Sequence, residues 1–329
     1  MPLVESQKLG YIGEALKRMR GMVNESEVTR NGVIVDWDNF ENLLEYLIKE
    51  ELHMYASEEC FFCTEAILNP KSERERMTSL LFERFGILGL DFGYQPIMSL
   101  FASGRNSAII IEMGEDLTQI VPIWDCFVIE NAILRSNIVN GRMVTDHLRQ
   151  LLNQKGFSFH TSSELEIVRE MKEKVVCFNG EPNINSQKID YFLPDLTKIE
   201  MSGEQNLSAE CLFNPFILNK NVDGLHEMVH NSFTKCPIDS RLDLYGNIVL
   251  CGGNSLIDGL DKRLEQELDL LLPKNVRKKF ISMDSPQFSS FIGASIYSSR
   301  STITTGWITK ESYQEYGPNI CRRDRLSLV

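Results

Sequence analysis

Nowhere in the chain do about 18 apolar residues follow one another, the length a helix needs to cross a bilayer. The opening Met-Pro-Leu-Val-Glu-Ser-Gln-Lys also lacks the apolar core of a secretory leader. A cytoplasmic or nuclear address without membrane insertion is therefore the expectation. Positive charge is in short supply, with 34 Lys plus Arg against 46 Asp plus Glu and a formal net charge of -12. Such a surface disfavours nonspecific attraction to phosphate backbones or anionic lipid, so no direct nucleic-acid binding is expected. The densest basic run, Lys274, Arg277, Lys278 and Lys279, has no interleaved aromatic on which bases could stack and reads as a solvated turn. Arg322, Arg323 and Arg325 read the same way, or as a partner-facing tail. A disulfide framework is missing too: the eight cysteines are scattered from Cys60 to Cys321 and read as reduced thiols. Cys60 and Cys63 have C-x-x-C spacing but no second ligand pair, and their apolar flanks favour packing in a strand over metal or redox chemistry. No fixed-period repeat is present.

What the chain does have is 329 residues, 43% of them hydrophobic, enough for two lobes or one large multilayered α/β body. Apolar spacing predicts a helix over Asn39–Leu52 behind Asp36-Trp37-Asp38, a strand over Cys60–Glu65 and a charged amphipathic helix over Ser72–Phe85. A strand over Ile87–Gly93 and a short helix over Gln95–Ala102 follow. Ser107–Met113 and Leu117–Pro122 read as strands about a Gly114-Glu115-Asp116 turn, and Phe127–Ile133 continues that strand-rich block. Helices are expected over Arg142–Lys155, over Ser162–Val176 with Ser162 or Ser163 and Glu166 as a capping pair, and over His226–Cys236. The polar stretch Phe178–Glu204 reads as a surface excursion. Asn247–Leu250 is a predicted strand, Gly259–Leu271 a helix, and Ser289–Ser299 a small-residue helix able to pack closely on a sheet.

Two arrangements point toward phosphate or nucleotide chemistry. In Ile109-Ile110-Ile111-Glu112-Met113-Gly114-Glu115-Asp116-Leu117-Thr118, a hairpin turn brings backbone N–H groups and a carboxylate to one edge of a sheet. In Val249-Leu250-Cys251-Gly252-Gly253-Asn254-Ser255, paired glycines between strand and helix let a ligand approach the main chain. Taken singly, paired glycines more often make only a tight turn, and a strand-edge Glu is usually solvated.

From Tyr11 almost to the C-terminus, however, the chain resembles actin and the actin-related proteins. Tyr11-Ile12-Gly13-Glu14-Ala15 with Arg20-Gly21, Asn31-Gly32 with Asp36-Trp37, and Thr64-Glu65-Ala66 with Leu68-Asn69-Pro70-Lys71 carry the likeness. So do Ser99-Leu100-Phe101-Ala102-Ser103-Gly104-Arg105, Ala132-Ile133-Leu134-Arg135, Ile167-Val168-Arg169 with Lys172-Glu173-Lys174, Asp243-Leu244-Tyr245 and Leu250-Cys251-Gly252-Gly253. The resemblance implies an α/β, actin-like fold of the superfamily that also holds hexokinase and the heat-shock chaperone ATPases: two lobes around a cleft for ATP or ADP with Mg. It further implies that residues 1–27 are a remnant of the small mobile subdomain and that 28–102 with 289–329 form the first lobe. Residues 103–138 with 222–288 would be the inner part of the second lobe, and 139–221 its outer part.

By the same resemblance, Gln95 would aim the water that attacks the terminal phosphate, although alone it reads as a surface or cap residue ahead of Pro96. Glu112 stands where the family has an aspartate holding the cation's waters; its extra methylene displaces the oxygens. Met113 replaces a small polar residue, Gly114 is kept, Glu115 replaces a ribose-reaching aspartate and Asp116 replaces a loop glycine. Arg169, Lys172 and Glu173 would line base and sugar, though alone they are helix-face charges. Gly252, Gly253 and Leu256 would form the opposite wall, with Gln287 and Phe288 closing over adenine. Met1–Leu9 has no counterpart of the family's first glycine-rich strand-turn-strand and its lysine. The resemblance thus implies neighbouring sheet edges in need of a partner. Either the chain is a divergent, shortened member or its start lies upstream. At the family's bridging loop, Ile217-Leu218-Asn219-Lys220 has a polar tip, and Arg300 replaces an apolar residue at a partner-binding groove; both disfavour copolymerisation. The expected role is a structural or regulatory component of a cytoskeletal assembly with weak or absent ATP hydrolysis, nucleotide weakened or dispensed with. Its expected partners are other cytoskeletal proteins or actin-related complex subunits. A slow Mg-dependent ATPase that forms or caps filaments, and a subunit of a nuclear chromatin-remodelling complex, stand as alternatives.

Overall fold

The computed structural model of the chain describes residues 11–19, 26–178, 188–193, 196–273, 276–300 and 306–322. After helix α1 (Glu14–Arg18), strands β1 (Thr29–Arg30) and β2 (Val33–Ile34) pair as a hairpin. Asp36 starts helix α2 (Trp37–Tyr46) by accepting the Asn39 N–H at 3.0 Å, which satisfies a donor the helix itself leaves orphaned. A π turn over Leu47–Glu51 extends it. Strand β3 (Cys60–Glu65), helix α3 (Lys71–Ser79) with its π turn Leu80–Phe85, strand β4 (Gly89–Tyr94) and helix α4 (Gln95–Ala102) fall within two residues of the predicted bounds. Strands β5 (Ala108–Met113), β6 (Thr118–Trp124), β7 (Phe127–Val128) and β8 (Leu134–Ser136) follow, then helices α5 (Gly141–Gln154) and α6 (Ser162–Val175). Beyond them come β9 (Ile189–Phe192), β10 (Lys198–Met201), α7 (Glu204–Glu210), α8 (Leu225–Lys235), α9 (Ile238–Tyr245) and β11 (Ile248–Cys251). The last elements are α10 (Leu260–Leu271), β12 (Phe280–Ile281), α11 (Ser289–Arg300), β13 (Ile308–Thr309) and α12 (Lys310–Tyr316).

Strand periodicity explains how these elements stack. In the six-stranded sheet β11 runs parallel to β5 and β12, β6 antiparallel to β5, and β7 and β8 both pair with β6. Successive side chains of a strand point to opposite faces. Ile109, Ile111 and Met113 therefore enter one core with Val144, Leu148, Val229, Phe233 and Leu264. Ala108 and Ile110 enter another with Ile97, Met98, Leu100, Val249 and Ala294. Both faces are covered, which is why β5 reads as an uninterrupted apolar run. Ile109, Ile110 and Ile111 are each fully buried, a gain of about 1.5–3 kcal/mol apiece. A three-stranded sheet, ordered β13-β4-β3, carries the third core of Leu81, Phe82, Ile87, Leu90, Ile308 and Tyr313. Among the described residues β3 pairs only with β4.

The structure departs from the sequence reading at several points. Part of Phe178–Glu204, taken as a surface excursion, is the hairpin β9–β10; its alternating Ile199 and Met201 are fully buried in the main core. Residues 179–187 and 194–195 of that stretch lie outside the described residues, as do 1–10 and 20–25 of the expected remnant. Helix α6 is capped by Thr161 with Glu164, each side chain bonding the other's backbone, one residue earlier than Ser162 or two earlier than Ser163 and Glu166. Helix α11 packs its small face mainly on helix α4, where a Cβ on Gly293 would lie 1.8 Å from the Met98 carbonyl oxygen, and also touches the sheet at β3, with Tyr297 against Phe62. Cys60 and Cys63, three apart on β3, point to opposite faces and cannot act as one pair. The Lys278 ammonium pairs with Asp269 and the Arg322 guanidinium with Glu75, while Lys274, Arg323 and Arg325 lie outside the described residues. Among the described residues no helix is long and apolar enough to cross a membrane.

Candidate functional site

The site gathers where β5 ends. Glu112 is the penultimate residue of β5 and faces Cys251 of β11 on one side and Gln119 of β6 on the other. Gln95 opens helix α4 nearby. Gln119, which the sequence reading did not single out, is the hub of this group. It is buried, its amide oxygen accepts the Ile67 N–H at 2.8 Å, and its amide nitrogen donates to Glu112 Oε2 at 3.2 Å and to Gln95 Oε1 at 3.4 Å. A main-chain donor thus fixes the orientation of the Gln119 amide. That orientation in turn engages the oxygen of Gln95 and turns its NH2 away. Among the described residues no cation pairs with Glu112, and burial pushes its carboxyl up to about 7. Burial also pushes the adjacent Cys251 thiol up to about 12, leaving it an inert thiol.

The turn after β5 is knitted to helix α5. Gly114 N donates to Leu117 O at 2.8 Å, closing the hairpin. The carbonyls of Gly114 and Glu115 accept from Gly141 N at 3.0 Å and Arg142 N at 2.8 Å, and that of Asp116 accepts from Asn140 Nδ2 at 2.9 Å. Asn140 also caps the helix through Met143 N at 3.0 Å. Gly114 O takes a further bond from Asn254 Nδ2 at 2.7 Å, tying this turn to the second glycine segment. With the carbonyls so engaged, the Glu115 and Asp116 amides form no hydrogen bond among the described residues, which leaves two backbone donors at the hairpin tip.

The acidic side chains of the turn have cations of their own. Lys172, buried on α6, donates to Glu115 Oε2 at 2.6 Å and to Gly141 O at 3.3 Å. Asp116 Oδ1 receives Arg142 Nε at 2.7 Å. The extra negative charge of Asp116, expected to disfavour a polyphosphate, is therefore matched locally. Of the three α6 residues in the predicted site, only Lys172 joins the turn; Arg169 pairs along the helix with Glu166 at 3.6 Å and Glu173 at 3.7 Å, the ordinary behaviour of helix-face charges.

On the β11 side, Gly252 has φ of 83°, and a Cβ there would lie 2.3 Å from Met113 O, so only glycine lets the two loops touch. The turn Gly253–Leu256 packs against the turn Pro286–Phe288, and each presents an exposed apolar side chain, Leu256 and Phe288, with Gln287 exposed between. These surfaces suit the flat face of a base. The adenosine side of an ATP or ADP site thus fits the residues present. The side that would hold phosphate and Mg fits less well, because its one carboxylate is half-buried, uncompensated and bonded to an amide. A cavity of about 270 Å³ lined by Cys63, Thr64, Glu65 and residues of the β1–β2 hairpin extends to Gln95.

Gln119 and Arg142 did leave signals in the sequence. A lone Gln in Thr118–Trp124 interrupts an apolar strand, and an arginine in the first turn of a helix sits at the wrong end of the helix dipole. Their partners depend on register and chain crossing, which local patterning does not carry. Compared with models of known protein families, the chain matches the one described as Actin, over residues 4–325.

Proposed function

Because the chain belongs to the actin family, we propose that it serves as an actin-related structural or regulatory component of a cytoskeletal assembly, with weak or absent ATP hydrolysis. The observation that carries this reading is the Gln119 amide, whose nitrogen donates to Glu112 Oε2 at 3.2 Å and so occupies a carboxylate oxygen that would otherwise face a Mg ion's waters. Gln95, which would have to aim the attacking water, has its oxygen committed to Gln119 instead. Where nucleotide binds, Gly252, Leu256 and Phe288 would take the base side, and the Glu115 and Asp116 amides would meet phosphate oxygens. No hydrolytic step is assigned to these residues.

We read two surface features as bearing on filament contacts. The loop expected to have a polar tip at Asn219 and Lys220 exposes Phe216 and Ile217 beside it, an apolar shoulder that suits a partner contact. The Arg300 guanidinium lies 5.8 Å above the Phe101 ring, capping apolar surface with charge. Both features favour a dedicated partner over copolymerisation. We place the protein in the cytoplasm with other cytoskeletal proteins or subunits of an actin-related complex. The test is steady-state phosphate release by the purified chain with Mg-ATP, beside a conventional actin. Release near the buffer background supports the proposal, and release at the conventional actin's rate refutes it. A slow Mg-dependent ATPase that forms or caps filaments is the second reading, favoured by the two uncommitted turn amides. Membership of a nuclear chromatin-remodelling complex is the third, which affinity purification of the endogenous protein separates by the subunits recovered.

A further inference from the structure

Two arginines fasten the β1–β2 hairpin to the body built on the six-stranded sheet, and they do so by different chemistry. Arg135, on β8, donates only to neutral oxygens: Asn31 O at 2.6 Å, Ile67 O at 2.8 Å and Asn69 Oδ1 at 2.9 Å. Arg142, in the first turn of α5, instead bridges two carboxylates from separate parts of the chain. One is Asp116 in the turn after β5, with Nε and Nη2 at 2.7 and 2.6 Å; the other is Glu27, just ahead of β1. Glu27 is held in turn by Arg30 Nε at 2.8 Å. The result is a row of alternating charge, Arg30, Glu27, Arg142, Asp116, crossing from the hairpin to the candidate phosphate turn. Partial burial opposes ionisation of Glu27, yet the Arg142 and Arg30 guanidiniums hold its carboxyl below the usual range. A cation in the first turn of a helix is unfavourable on its own. Two carboxylates from outside the helix supply the compensation.

We propose that Arg142 is an electrostatic latch that holds the β1–β2 hairpin against the Gly114–Leu117 turn, closing the rim of the candidate cleft with the chain's own charges and without a bound ligand. The latch does not depend on hydrolysis, and its test uses nucleotide-free protein, so its failure and that of the proposed function are separable. With Arg142 at 45% and Glu27 at 35% side-chain exposure, the latch is open to solvent ions and weakens with salt, whereas the Arg135 contacts, made to neutral acceptors, do not. The experiment is hydrogen exchange of the full chain at low and high salt, followed on peptides covering residues 28–35 and 114–118. Glu27→Gln and Arg142→Gln are each expected to speed exchange on both peptides about fivefold at low salt, the upper end for a partly exposed pair, and to abolish the salt dependence on 28–35; on 114–118 it persists in part in Glu27→Gln, where the Arg142–Asp116 pair remains. Arg149→Gln, which removes the Arg149–Asp146 pair elsewhere on α5, is the control and should change neither peptide. Unchanged exchange on 114–118 in Glu27→Gln overturns the latch, as does an equal response in Arg149→Gln. Glu27 lies outside every core, so its variant keeps the test open even where Arg142→Gln fails to fold.

Discussion

At the scale of single residues, the chemistry turns on a carboxylate without a cation. Burial raises the Glu112 carboxyl from the ordinary glutamate value of about 4.5 to about 7. Between those two values the unfolded chain has lost its proton while the folded protein still holds it, so the folded state binds more protons and stability falls as pH rises. Above about 7 both forms are ionised and the loss is constant, on the order of 3 kcal/mol for a shift of this size. Glu112→Gln removes that titration. Urea unfolding of metal-free protein at pH 4.5 and pH 8 should therefore show the variant gaining on the parent by about 2–3 kcal/mol at the higher pH; an equal difference at both would mean that Glu112 is already ionised in the fold. Gln119 shows why such a site was only half visible in the sequence. Glu112 and Gln95 stand in stretches that could be matched to a family, but the amide joining them comes from a third segment and depends on the pairing of Glu112 with Gln119. Local patterning marks Gln119 as out of place without saying what it touches.

At the scale of elements, the strands and helices most legible in the sequence are those whose periodicity matches their burial. Cys60–Glu65 and Gln95–Ala102 occupy the predicted bounds because turn residues flank a short run of one character. The β9–β10 hairpin was missed for the opposite reason. Its buried residues are few, Ile199 and Met201, and they alternate with Lys198 and Glu200 inside a polar segment. Close packing was legible without its partner: the small residues of Ser289–Arg300 announced a near neighbour, and the neighbour is helix α4. Gly293 measures how near. In Gly293→Ala the new methyl would meet the Met98 carbonyl, so the two helices must separate, and a loss of about 1–3 kcal/mol is expected. Chemical denaturation checks it, and a neutral or stabilising result would show that the α4–α11 contact is looser than described.

At the scale of the whole molecule, the actin-family chain has a candidate cleft whose polar groups are engaged with one another. Glu115 has Lys172, Asp116 has Arg142, and Gln95 has Gln119, so groups that could have waited for a ligand are already engaged. Preorganisation of that kind keeps a fold closed and ordered, but it leaves little to spend on a transition state. The proposed structural role would draw on the exposed Phe216 and Ile217 and on Arg300 over Phe101. The central claim is that this cleft does not cleave ATP through Gln95 and Glu112. Single-turnover conversion of Mg-ATP by excess purified protein, compared with the Gln95→Ala, Glu112→Ala double variant, tests it most directly. The account predicts conversion no faster in the parent than in the double variant; rapid conversion by the parent, lost in the double variant, would contradict it.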